Sequence, residues 1–436
     1  MVDDTKPGSE RRTLNWWHMR TGKELGAASG NAETAGDRPL PALLSQALVA
    51  FTVEIDNQFE RRMGEAGYPG TTLSLLVWSN LLRFLTEGAL PAHELAAHAP
   101  ALEKRVKFEL GCLERWGIVT LSAGAAEDRP VPTRAHRRAN RILRDGWGSG
   151  RGIRSGWMVH LTGRGSKAAE IWPPLLDETE RRWQARFGDD QIGSLRRALE
   201  DVLEQIDLEL PHGLPAYWNA GEKYPARSQE PPGAGHLPLP ALLSQALLAY
   251  TIEFDGESPT PLNLCANALR VLGERPIPVG DIPRLTGGSP ETSGIGWQIK
   301  PYIAVEPDPA AKRGKVVRLT PAGHRAQKTY RDLTGEIEKR WEAKFGKDKI
   351  RRLRESLREL FVPRSGDRLL LAEGLVPAEG TVRAGESAPA LGRRAIASAA
   401  RQRTRDLAAQ TGIFLRDPAG ALPHYPLWDM NRGFGP

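Results

Sequence analysis

The chain has 436 residues, 60 Lys+Arg against 53 Asp+Glu for a net charge of +7, and two cysteines. That length accommodates two or three domains with real cores, and two cysteines exclude a disulfide framework, as expected for a reducing compartment. The first residues form no apolar leader and no uncharged apolar run reaches the ~20 residues that span a bilayer, so the expectation is a soluble, cytoplasmic protein without a membrane partner.

In chain order, residues 1–37 read as a disordered N-terminal arm. PLPALLSQALVAFTVEID (39–56) then sets Leu43, Leu44, Ala47, Leu48 and Phe51 on one stripe of a helix. A second helix is predicted over 72–86, and a short third one is opened by Pro91. A fourth begins near Leu102, with Val106, Leu110 and Leu113 as its buried face. β-like pieces follow at 117–121 and 157–161. Between them, residues 129–154 hold eight Arg and one Asp, so this one window equals the net charge of the whole chain. Arg134, Arg137, Arg141 and Arg144 share one helical face there, with Arg138 beside it. That segment suits an extended wing neutralising phosphates, an arginine-rich stretch folding on RNA, or a solvated loop. Two long charged helices are predicted over 164–187 and 190–207, followed by a linker or strap over 211–236.

The pattern then starts again. PLPALLSQALLAYTIEFD (238–255) repeats 39–56 with 14 of 18 residues identical. SNLLRFLTEG (79–88) matches ANALRVLGER (266–275), LTGRG (161–165) matches LTPAG (319–323), and ERRWQARFG (180–188) matches EKRWEAKFG (338–346). The chain therefore divides into a first repeat, 38–210, enlarged by the arginine-rich insertion at 122–156, and a second repeat, 237–362. In the second, a helix over 262–273 leads to a short one opened by Pro278 and a fourth beginning at Ser289-Pro290-Glu291. Strands at 302–305 and 315–319 precede helices at 322–345 and 347–361. Residues 363–436 read as a partly disordered tail with one helix at 389–409. LPHGLPAYW (210–218) and LPHYPLW (422–428) follow the two repeats. Each suits either an extended strap or a lid over an effector pocket.

The fold class is thus mainly α with small β wings: tandem winged helix-turn-helix domains. DPAAKRGKVVRLTPAG (308–323) resembles the wing of the multiple-antibiotic-resistance regulator (MarR) family at Asp308, Arg313, Leu319, Thr320 and Gly323. The resemblance implies a transcriptional regulator binding double-stranded DNA, with a possible small-molecule effector between the dimerisation and DNA-binding helices. It implies Arg313 in the minor groove, oriented by Asp308, with Lys312 and Lys315 on the same wing. On the fourth helices, Ser293, Trp297, Gln298 and Lys300 in one repeat and Lys104 and Lys107 in the other would face DNA. Two such domains in one chain would pair through their first and last helices as an internal pseudo-dimer, which predicts a monomer, or a dimer built on another surface. A rival reading is a protein-interaction scaffold, because Gly294 and Gly296 weaken one recognition helix and Glu103 and Glu109 sit on the other. No P-loop, nucleophile elbow or dinucleotide fingerprint is present, and the nine His lack metal spacing, so no enzyme activity, metal or cofactor is expected.

Overall fold

The computed structural model describes residues 38–99, 103–122, 156–214, 237–286, 297–309, 314–362, 370–371, 375 and 422–426. The fold is mainly helical with two small antiparallel sheets of three strands each. The first half runs α1 (Leu40–Glu65), α2 (Leu75–Asn80), a 3-10 turn (Leu82–Leu85), β1 (Leu90–Pro91), α3 (Ala92–His98) and α4 (Glu103–Arg115). It continues with β2 (Val119–Ser122), β3 (Met158–Leu161), α5 (Gly163–Phe187) and α6 (Asp189–Leu203). The second half runs α7 (Leu239–Glu257), α8 (Leu262–Leu264, continued by a π-turn over Cys265–Leu269) and β4 (Ile277–Pro278). A 3-10 turn (Val279–Asp281), α9 (Ile282–Thr286), a second 3-10 turn (Trp297–Tyr302), β5 (Ile303–Pro307), β6 (Lys315–Leu319), α10 (Pro321–Phe345) and α11 (Lys347–Glu359) complete it.

The strand orders are β1-β3-β2 and β4-β6-β5. The sequence suggested only the outer hairpins. The third strand of each sheet is a two-residue piece, Leu90–Pro91 opposite Val159 and Met158, and Ile277–Pro278 opposite Val317 and Val316. A two-residue strand leaves no period-2 pattern to read, and proline at its end removes one ladder donor.

The helix expected to carry a single apolar stripe is buried on all sides instead. In α1 every residue from Leu40 to Thr52 is buried, and in α7 every residue from Leu239 to Thr251. A helix apolar around its whole girth belongs in the middle of a core, and both helices lie there. α1 packs on α7, α5 and α11, while α7 packs on α1, α6 and α10. Each starts with Pro in its first turn, where no intrahelical donor is lost.

Aromatic side chains fasten the outer helices. Trp172 of α5 stacks on Phe59 of α1 at 4.2 Å, and Trp183 meets Phe51 at 5.2 Å. Trp341 of α10 meets Tyr250 of α7 edge-on at 5.3 Å. α6 and α11 pack on each other, and their polar contacts exchange across the two halves. Arg196 of α6 binds Glu180 and donates to the Leu237 carbonyl ahead of α7 at 2.7 Å. Arg354 of α11 binds Glu338 and donates to the Arg38 carbonyl ahead of α1 at 2.5 Å.

Helix ends differ from expectation at two places. The second helix of each half breaks early, into 3-10 geometry at Leu82–Leu85 and into a π-turn at Cys265–Leu269. The fourth helix of the second half appears, where described, as the 3-10 turn Trp297–Tyr302 with Pro301 inside its last turn. The N-terminal arm (1–37), most of the arginine-rich insertion, Ser289–Glu291, the linker beyond Leu214 and the helix expected at 389–409 lie outside the described residues. Among the described residues no helix is long and apolar enough to cross a membrane.

Candidate nucleic-acid interface

Each sheet is welded to the helix after it by the same Leu-Thr-x-x-Gly motif. Thr162 accepts from the Gly165 amide at 3.1 Å as the N-cap of α5, and Thr320 accepts from Gly323 at 3.2 Å as the N-cap of α10. The hydroxyls also donate backward, Thr162 to the Gly117 carbonyl at 2.6 Å and Thr320 to the Pro301 carbonyl at 2.9 Å. The repeated Leu-Thr-x-x-Gly is therefore a joint that fixes each hairpin against a long helix. Its glycines have a steric cause: a Cβ there would stand 2.1 Å from Ile118 O or Tyr302 O.

The second hairpin, β5–β6, is closed near its tip by the Asp308 amide donating to the Gly314 carbonyl at 2.9 Å. Lys315 is exposed at the start of β6, and Lys300 is exposed on the 3-10 turn below. Arg318 pairs with Glu306 across the hairpin at 3.3 Å, both about half exposed. Lys300, Lys315 and Arg318 thus bring three cations to one hairpin and the turn that feeds it. Asp308 is half-buried beside the tip. Lys312 and Arg313 lie outside the described residues, as does Ser293, while Trp297 and Gln298 are placed by backbone only.

In the first half, Lys107 is half-buried on α4 and the Lys104 side chain is outside what the structure describes. Glu109 is only 5% exposed, so its carboxylate turns into the protein and is not presented on the outer face of that helix. Arg134, Arg137, Arg138, Arg141 and Arg144 all lie outside the described residues. On the far side of the insertion, Arg164 donates to the Trp116 carbonyl at 3.0 Å and sits over the Tyr68 ring.

What sequence reasoning missed is the way the two Leu-Pro-His segments are held. Residues 210–214 run across α7 and α2: Ser244 donates to the Gly213 carbonyl at 2.8 Å and Gln245 to Leu210 at 3.2 Å. Asn80 of α2 binds Leu214 twice, donating to its carbonyl and accepting from its amide, both at 3.0 Å. Residues 422–426 run across α1 and α8 in the same manner. Ser45 donates to the Pro423 carbonyl at 3.1 Å and Gln46 to Leu422 at 2.9 Å. Asn267 donates to the Tyr425 carbonyl at 2.8 Å and accepts its amide at 3.0 Å. All six clamp side chains are buried, where each unmet polar group would cost about 1–3 kcal/mol. The signal was in the sequence: a Ser-Gln pair and an Asn persist in both copies of otherwise apolar helices.

Electrostatics at the second strap are set by burial. His424 is 4% exposed, and burial together with the Arg270 and Arg38 cations holds its imidazole well below the usual range. Burial also raises the Asp255 carboxyl to about 6, against a lowering bond from the Leu262 amide. The Tyr425 phenol and Cys265 thiol are both pushed up by burial, which leaves Cys265 a packed, unreactive thiol. Among the described residues no three His, Cys, Asp or Glu side chains group as metal ligands. No family model, curated protein or solved structure matches the chain.

Proposed function

We propose that the chain is a DNA-binding transcriptional regulator, made of two winged helix-turn-helix lobes fused as an internal pseudo-dimer. The observation that carries the reading is the twofold recurrence of helices, sheet order and capped joint, with core contacts that exchange partners between halves. Exchange of that kind is the signature of an isologous interface, which in a homodimer would present two equivalent DNA-reading surfaces. Here one chain presents both. The β5–β6 hairpin, with Lys315 and the nearby Lys300, is the wing of the second lobe, and the arginine-rich insertion extends the wing of the first. Residues 422–426 lie across α1 and α8, and a small-molecule effector belongs to the proposal only as what the family resemblance implies.

Fluorescence anisotropy with a random duplex pool and a structured RNA, over 50–200 mM salt, tests it. Binding to duplex should weaken with a log–log slope of about −0.9 per phosphate neutralised, and Lys300→Ala with Lys315→Ala should flatten the slope by about one to two units. Binding to RNA alone would move the function to the arginine segment. Absence of binding to either would favour the protein-scaffold reading.

A further inference from the structure

We infer that Leu422–Pro426 is a proton-sensitive latch, docked between α1 and α8 while His424 is neutral and released when that imidazole takes up a proton. The inference concerns the strap alone and stands whether or not the chain binds DNA.

Three observations lead to it. The strap is held through its backbone by Ser45, Gln46 and Asn267, so docking depends on hydrogen bonds that form only when the strap lies in place. Its histidine is almost fully buried, and Nδ1 has no hydrogen-bond partner among the described residues. The charged groups that bear on the ring are Arg270 from α8 and Arg38 ahead of α1, both positive. A protonated ring would therefore be a buried cation beside two others, with no carboxylate among the described groups acting on it. The carboxylate that does act on the strap is Asp255, whose influence falls on Tyr425. Tyr425 itself is tied to Thr251 of α7 at 3.3 Å.

The first strap supplies the contrast. It makes the same kinds of bond, but His212 is only half-buried, and Leu237 stands where the other half has Arg38. It also follows α6 directly, while the segment 360–421 separates the second strap from α11. Acid should therefore open one strap and spare the other.

The direction follows from linkage. The docked imidazole binds its proton less readily than the free one, so docking is fully favourable above the ordinary histidine value of about 6.5. It is lost at up to about tenfold per pH unit below that value. Asp255 has the opposite sign: its raised value makes acid stabilise the folded form, so it cannot cause loosening on acidification.

Hydrogen exchange on the full chain reads the two straps side by side, because the Tyr425 and Leu214 amides are each bonded to an asparagine. From pH 7.5 to 5.0, the protection factor of Tyr425 should fall by about 30-fold after correction for intrinsic rates, while that of Leu214 changes by less than about threefold. His424→Phe, which keeps an aromatic ring and cannot titrate, should abolish the fall. If that variant undocks the strap at every pH, Arg38→Met provides the second arm, since removing one cation should shrink the acid response. Equal loss at both amides, or none at Tyr425, would overturn the latch.

Discussion

A Cβ on Gly323 would lie 2.1 Å from the Tyr302 carbonyl oxygen and 2.9 Å from a Leu319 methyl, and neither backbone nor buried leucine can yield that much. Gly323→Ala should therefore destabilise the protein by about 3 kcal/mol, at the upper end for overpacking. Gly335 lies in the interior of the same helix with nothing within 4 Å of the added methyl. There the same substitution should stabilise by about 1 kcal/mol through helix propensity. Urea midpoints of the two variants check this, and equal shifts would contradict the steric account. Asp255 makes a second residue-scale case. Its side chain accepts from the Leu262 amide at 2.8 Å, yet burial raises the carboxyl to about 6. The folded form thus binds a proton more tightly than the unfolded chain, whose aspartate titrates near 3.9. Its contribution to stability is complete below about pH 4 and is lost as pH rises through about 6, and it is modest because the residue keeps solvent contact that screens its charge. Asp255→Asn keeps an acceptor for Leu262 and should make stability nearly independent of pH across that window. A pH series of thermal midpoints for the two proteins reads the difference. A parallel pH trend in both would show another group to be responsible.

Between helices, one repeated motif has been put to two uses. The Trp of ERRW and EKRW donates to the first-helix glutamate in each half, Trp183 to Glu54 at 3.0 Å and Trp341 to Glu253 at 2.8 Å. The arginine that completes the site differs. Arg186, 12% exposed, grips Glu54, 4% exposed, with two bonds of 2.8 Å. Arg340, 43% exposed, bridges Glu253 and Glu257 at the surface. Breaking the buried pair by Arg186→Ala should cost about 3–5 kcal/mol, because Glu54 would be left charged and covered. Arg340→Ala should cost under about 1 kcal/mol. Chemical denaturation of the two variants decides, and similar losses would mean that burial does not govern the pairing. This contrast also marks what the sequence reveals at the element scale. The long helices α5, α6, α10 and α11 and the hairpins were legible within a few residues, because 3.6- and 2-residue periods and the Thr caps are local signals. The two-residue strands β1 and β4, the π-turn in α8 and the strap clamps were not, because each is created by a partner distant in the chain. Lys300 and Lys315 were legible as exposed cations, whereas the burial of Glu109 depends on how α4 docks and leaves no trace in its own spacing.

For the whole molecule, the decisive fact is that neither half encloses its own core. α1 is covered by α7 and α11 as well as by its own α5, and α7 is covered by α1 and α6. Each strap likewise ties a first helix of one half to a second helix of the other. A half excised as residues 38–214 would therefore expose the faces of α1 and α6 that α7 and α11 now bury, far more apolar surface than a stable monomer carries. It would also retain a substitute. α1 and α7 share 14 of 18 residues over 39–56 and 238–255, including the Ser-Gln pair that grips a strap. Two copies of the fragment can thus rebuild the α1–α7 contact as α1–α1 and the α6–α11 contact as α6–α6. Arg196 of each copy would reach the Arg38 carbonyl of the other, as Arg196 now reaches Leu237 and Arg354 reaches Arg38. The full chain should accordingly run as a monomer of 47.9 kDa in light scattering, and the fragment as a symmetric dimer of about twice its own mass. Dimerisation should fail in the fragment when Leu44 and Leu48, both fully buried in α1, are changed to Asp. A fragment that stays monomeric and unfolds cooperatively would mean that each half is self-sufficient, and the fused pseudo-dimer would have to be abandoned.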